Sequence, residues 1–299
     1  MDAKVVAWCD YVVPDVVADI FTMMGDNTGM RWGVMPSHQY WFQPPKLHLV
    51  LSAVALLFCT VLHRQSRGFR SAAISRLGIT GVGRSLKCPI NRLIAYILIV
   101  CLAAQGFIKA SRPKPFVQLG WLLMPCHIFT GMWIYIFMCD RPHQYGRGCY
   151  LASLLVDWVW CPLGALVQPD WNDHQYPWEG SIFFLHHGLL ILLPLYFAIR
   201  YDTLRIDWAH LYHLTWVPML VNFAFLAPCG LFLGLNVNYQ LAPPRLGNRA
   251  PALLTSTLYR PALVPVFVAL SIVVNVAVRM LGKAIGKLFL SAQKLTKLD

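Results

Sequence analysis

The chain has 299 residues, 57% of them hydrophobic and only 13% charged, with a formal net charge of +12; its mean hydropathy is +0.53. A soluble domain carries roughly 25% charged residues, so composition excludes an ordinary soluble protein and predicts an all-α, polytopic membrane helix bundle. The basic balance fits membrane topology and excludes a nucleic-acid partner, since no nucleic-acid-binding motif interrupts the apolar pattern.

Residues 1–45 are polar and aromatic, with Asp2, Asp10, Asp15, Asp19 and Asp26 set against Lys4 and Arg31. Pro14 can open a short helix through Phe21, with Val16, Val17 and Ile20 on one face. That helix is too short and too acidic to cross a bilayer, so an extramembrane arm lying at the interface is expected. The start lacks a basic n-region and a compact apolar h-region, so no cleaved signal peptide is expected.

Seven spans of about 20 residues or slightly fewer follow. They are placed at 47–63, 93–109, 117–138, 149–168, 181–199, 209–234 and 261–281, in a bundle covering residues 46–281. Several contain proline (Pro125, Pro162, Pro194, Pro218, Pro228, Pro265), as packed membrane helices often do. Residues 282–299 form a basic tail in which Lys283, Lys287, Lys294 and Lys297 alternate with Ile285, Leu288, Phe289, Leu290 and Leu295. This spacing suits an amphipathic helix on anionic lipid headgroups. The basic loop 64–92 is expected to meet the same headgroups.

Lys and Arg asymmetry orients the bundle. With loop 64–92 cytoplasmic, alternation puts 139–148, 200–208 and the tail on that side, giving 16 basic residues against Asp140, Asp202, Asp207 and Asp299. The other side carries nine basic and eight acidic residues, Asp170, Asp173 and Glu179 among them. The N-terminus is therefore expected outside or in a lumen, although Lys109, Arg112 and Lys114 run against the rule.

Ionisable groups within spans are costly and mark a site or pathway by default. Leu122-Leu123-Met124-Pro125-Cys126-His127 places a proline, a thiol and an imidazole where the pattern calls for hydrocarbon. Cys126 lies about nine residues into the third span, roughly 13 Å, and His187 about six residues into the fifth, roughly 9 Å. A thiol needs a base or positive partner to become a thiolate, and Cys–His pairing is the recurrent logic of thiol acyl transfer. His127 is rotated about 100° from Cys126 and is expected to face elsewhere; of His186 and His187 only one can face a given partner. Glu179 could orient an imidazole or face headgroups. Asn222 could donate to an oxyanion or join helices. Asp157 is the one acid at depth.

Nine cysteines without a CxxC pair give no disulfide framework and no structural zinc site. His210 and His213, at i and i+3, would need further ligands to hold a metal, and no HExxH box supplies them. No metal and no cofactor are expected, and no GxSxG elbow or Gly-rich phosphate loop is present.

Trp121-Leu-Leu-Met-Pro-Cys-His-Ile-Phe resembles the Asn-Pro-Cys-His signature of the transmembrane protein 164 family. Pro177-Trp178-Glu179, Ile182-Phe-Phe-Leu-His-His187 and Leu193-Pro194-Leu-Tyr196 are similar to its Phe-Glu, Ile-Tyr-Tyr, Gln-His and Pro-Ile-Tyr run. Asn236-Val237-Asn238 with the proline-bearing loop after it is similar to its Val-Asn-Leu-Asn segment, and the similarity covers roughly residues 45–285. The resemblance implies an intramembrane lipid enzyme related to the androgen-induced-protein fold. It would transfer a fatty acyl chain between phospholipids, with ether phosphatidylethanolamine as the favoured acceptor. The family's cysteine falls on Cys126 and its histidine on His187. Met124, His186 and Asn222-Phe223 depart from the family's Asn, Gln and His-Phe.

The expectation is thus a thiol acyltransferase acting on phospholipids, with Cys126 as nucleophile and His187 as base, and with Glu179, His186, Asn222 and His127 in support. The departures motivate an alternative, a non-catalytic lipid-binding subunit of a larger complex with membrane-protein partners. A proton-coupled transporter using Asp157 is a third reading. The expected membrane is the endoplasmic reticulum, or alternatively the mitochondrial inner membrane.

Overall fold

The computed structural model describes residues 3–27, 44–80, 85–139, 141–167, 169, 174, 176–201, 208–240 and 259–295. Six helices among them are long and apolar enough to cross a membrane: Pro45–Ile79, Pro89–Ala110, Tyr145–Val167, Glu179–Tyr201, Ala209–Leu233 and Tyr259–Leu288. A bent pair, Pro115–Leu123 and Pro125–Met138, passes the same test together and makes a seventh if it crosses as one span. No strand occurs among the described residues, and the protein is an all-α polytopic membrane bundle. Each expected span has a helix at its position.

The helices are α1 (Ala3–Val12), α2 (Asp15–Asn27), α3 (Pro45–Thr80), α4 (Pro89–Ala110), α5 (Pro115–Leu119), α6 (Pro125–Met138), α7 (Tyr145–Val156), α8 (Trp160–Val167), α9 (Glu179–Tyr201), α10 (Trp208–Met219), α11 (Ala227–Leu233) and α12 (Tyr259–Leu295). Proline opens α3, α4, α5 and α6, where its missing N–H is no loss. Pro194, Pro218 and Pro265 lie inside helices. After Pro218 the helix widens into a π-helical turn, Leu220–Leu226, before α11.

Two helices outrun their expected spans. α3 continues through Arg64, Arg67, Arg70 and Arg76, and α12 runs unbroken past residue 281 to Leu295. Charge ends a hydrophobic run without ending a helix, because Arg and Lys are good helix formers. Lys294 and Leu295 belong to α12, but their side chains lie outside the described residues, as do Arg31, Asp140, Asp170, Asp173, Asp202, Asp207, Lys297, Asp299 and the loop after Gln240.

The chain divides into two compact units. The first comprises Met1–Gln65, Gly106–Met124 and Tyr212–Val268; the second comprises Ser66–Gln105, Pro125–Leu211 and Ala269–Asp299. In the first, α2 packs on α11, and Lys46 at the start of α3 pairs with Asp10 and Asp15 of the arm. Val16 and Ile20 of α2 are exposed. Its core joins Val117, Leu226, Leu233, Leu235 and Val237. Gly234, at φ 66°, closes α11 in the left-handed conformation that glycine adopts at no steric cost.

In the second unit, Trp133 lies 5.8 Å from Phe197 and 5.3 Å from Phe137, ring centre to ring centre, which locks α6 to α9. The Tyr196 hydroxyl donates to Asn91 Oδ1 at 2.7 Å, tying α9 to α4. Gly146 on α7 meets the backbone of α3 at Ile74 and Gly78, so close that a Cβ there would collide. Small residues permit such approaches between membrane helices.

Candidate active site

Proline shapes the site locally. The residue before a proline is driven out of the helical region, and Met124 takes φ −55°, ψ 141° after the 3₁₀ turn Gly120–Leu123. The helix is consequently broken at Met124, between Leu123 and Pro125. α6 restarts with Pro125, so Cys126 is the second residue of a new helix. The N–H groups of such a first turn have no acceptor within the helix.

The Sγ of Cys126 lies 3.7 Å from Nδ1 of His127. This differs from the expectation that His127 faces away. A rotation of 100° separates the Cβ directions, yet the imidazole is long enough to reach back to its neighbour in the first turn.

The His127 ring stacks on His186 of α9, with centroids 5.5 Å apart and planes 25° off parallel. Thr130, one turn along α6, donates its hydroxyl proton to the carbonyl oxygen of Cys126 at 2.8 Å. Oγ1 of Thr130 also lies 2.5 Å from Nε2 of His186. With the threonine proton on the carbonyl, His186 must supply the proton of that second bond. Its Nδ1 has no hydrogen-bond partner among the described residues. His186 is therefore held in one tautomer, and it clamps α9 to the first turn of α6.

His187 sits beside it, ring centroids 5.1 Å apart. Its Nδ1 donates to the carbonyl of Phe183 at 2.9 Å, and its ring lies 4.2 Å from that of Phe183. This leaves Nε2 with a lone pair, the tautomer a base requires. No hydrogen bond joins it to Cys126, so the histidine against the thiol is His127 rather than the expected His187. Depth along two helices singled out His187, but depth does not fix azimuth.

Glu179 caps α9. Its Oε1 accepts from the N–H of Tyr176 at 3.1 Å, while its own N–H donates to the Tyr176 carbonyl at 3.1 Å, closing the turn ahead of the helix. Asn222 belongs to the first unit, on the π-helical turn. It donates to Pro218 O at 3.0 Å and accepts from Asn238 Nδ2 at 2.6 Å and from Gln240 Nε2 at 3.4 Å. The network is interhelical glue of the kind expected for polar groups at depth.

Asp157, 1% exposed, accepts a hydrogen bond from Asn275 of α12. His210 bonds Ser153 Oγ at 2.8 Å, and His213 packs its ring 5.0 Å from Trp216. Each of the two histidines thus has its own neighbour. No group of three or more His, Cys, Asp or Glu that could hold a metal occurs among the described residues.

Sequence reasoning missed Thr130 and Asn275. A hydroxyl at i+4 from Cys126 was the available signal for the first; an amide facing a buried acid, for the second, needs the packing of α7 against α12.

The TMEM164 family profile matches residues 36–277. The chain is 28% identical over 213 residues to the transmembrane protein 164 homolog of Dictyostelium discoideum, a match spanning 69% of this chain and 72% of that protein. No solved structure matches it. With the profile covering most of the chain, from ahead of the first span into the last, the protein belongs to the transmembrane protein 164 family.

Proposed function

We propose that the protein transfers a fatty acyl chain between phospholipids through a thioester on Cys126. The observation that carries this reading is the 3.7 Å approach of Cys126 Sγ to His127 Nδ1 at the start of a helix. Nucleophile and base are within reach, and His186 orients the base from behind, which is the triad logic in general form.

In the first half-reaction His127 takes the thiol proton. The sulfur attacks the ester carbonyl of a donor phospholipid, and the carbon–oxygen bond breaks. The departing lysophospholipid oxygen receives the proton from the imidazolium. The first-turn N–H groups of α6 are suited to hold the oxyanion. In the second half-reaction the hydroxyl of an acceptor lysophospholipid attacks the thioester and gives its proton to an imidazole, and the thiolate leaves. We assign that second proton to His187, whose Nε2 is an acceptor; the proton then passes from the imidazolium to the departing thiolate, which restores the thiol and the neutral imidazole. Anionic headgroups would gather at Arg64, Arg67 and Arg70 on α3 and at Lys283 and Lys287 on α12. The membrane assigned is the endoplasmic reticulum, which fractionation checks.

The test is transfer of a labelled acyl chain between defined phospholipids in liposomes holding the purified protein. Cys126→Ala is expected to leave only background transfer. Wild-type transfer by that variant sinks the reading.

A further inference from the structure

A second buried polar cluster lies within the first unit, and acyl transfer makes no use of it. Arg260, the second residue of α12, is 1% exposed. Its Nη1 donates to Nδ1 of His48 at 2.9 Å and its Nη2 to the carbonyl of Phe223 at 3.4 Å. The guanidinium also lies 4.7 Å from the centre of the Phe223 ring. All three partners are neutral. The Nε–H of Arg260 has no hydrogen-bond partner among the described residues, and neither has Oε1 of the nearby Gln240.

A buried charge without a counter-charge is expensive, and attraction to neutral dipoles does not offset it. Arginine cannot escape by losing its proton. The chain itself offers no carboxylate locally. Residues 27–139 and 208–298 contain no Asp or Glu, and the acids of this unit are all in the N-terminal arm, at positions 2, 10, 15, 19 and 26. Among the described residues none forms an ion pair with Arg260. The unit also buries Lys109 and Arg112, which adds to its positive bias.

We infer that Arg260 and His48 form an anion site that takes the phosphate group of a phospholipid. The planar guanidinium fork, with unused N–H bonds, matches phosphate oxygens in a way an ammonium does not. Depth points the same way. His48 and Arg260 stand in the first turns of α3 and α12, within about 5 Å of the span ends at 1.5 Å per residue, where headgroups border a hydrocarbon core about 30 Å thick. The carbonyl that Arg260 borrows belongs to the π-helical turn, a feature that recurs at functional sites because it releases backbone groups. The inference does not depend on thiol chemistry.

The full-length protein, delipidated in detergent, is titrated with dioctanoyl phosphatidylcholine, dioctanoylglycerol and inorganic phosphate, and binding is read by thermal shift. The wild type is expected to bind the phosphatidylcholine at least about tenfold more tightly than the glyceride, and Arg260→Gln is expected to remove that preference. The readout is binding and involves no thiol chemistry, so a failure of acyl transfer leaves this result standing. Competition by inorganic phosphate would identify a soluble phosphate as a further source of the anion, and its absence the lipid alone; the site stands in both cases. Equal binding of the two lipids by the wild type, or an undiminished preference in Arg260→Gln, overturns it. Should Arg260→Gln fail to fold, Arg260→Lys decides: it keeps the charge but loses the fork, and affinity several-fold weaker is expected, whereas wild-type affinity overturns the site.

Discussion

The two units bury polarity in opposite ways. In the second, the polar groups around Cys126 are a thiol, a hydroxyl and three imidazoles, joined by hydrogen bonds and ring contacts. None needs a permanent charge, and each can give or take a proton. In the first, Arg260 holds a fixed positive charge among an imidazole, a carbonyl and an aromatic face. A proton-mobile cluster suits covalent chemistry, in which charge appears and vanishes along the reaction. A fixed charge suits binding, in which it must persist. On the proposed reading, transfer belongs to one unit and anion recognition to the other.

Substitutions can break or sharpen this contrast. The largest effect is expected at Cys126: Cys126→Ala should cost on the order of 10⁴-fold in transfer, as loss of a nucleophile does, while the melting temperature stays near wild type. Next comes His127→Gln, with a loss of about 10²- to 10³-fold, the usual worth of a general base. His187→Gln should cost less in a single-turnover measurement of thioester formation. If the order of those two variants is reversed, the thiol's base is His187 after all.

Thr130→Val should lower the turnover number about tenfold, because the released His186 no longer holds the His127 ring. It should also destabilise the fold by about 1–3 kcal/mol, since a buried donor loses its acceptor. A shifted pH profile for this variant separates a positioning role from a merely structural one. The smallest effect on chemistry is expected at Asn275→Ala. Loss of the hydrogen bond to buried Asp157 should cost about 1–3 kcal/mol in stability, with activity per folded molecule unchanged. A loss of activity there would instead favour a proton path through Asp157.

The spans were legible because a bilayer demands unbroken apolar runs, and their helix type followed from the need to satisfy every backbone group internally. The extension of α3 was not, and for α12 a tail helix was expected but not its continuity with the last span, because hydropathy reports where lipid ends and is silent on where a helix does. Cys126 stood out as a polar group in hydrocarbon, and Pro125 as the break beside it. The partner of the thiol was hidden, because the choice between His127 and His187 rests on side-chain torsions and on the rotation of α9, neither of which a periodicity carries. Arg260 escaped notice for a plainer reason: the seventh span was expected to begin at residue 261, so a buried cation counted as loop. One residue of boundary separated an ordinary flank from a candidate site.

The central claim is that Cys126 carries the acyl chain. Full-length protein incubated with a donor phospholipid, quenched in acid and digested, is expected to yield the Cys126 peptide heavier by one acyl group. Neutral hydroxylamine should remove that group, and Cys126→Ala should lack it. Robust transfer without any acyl adduct on that peptide, or an adduct whose formation does not depend on Cys126, would contradict the account.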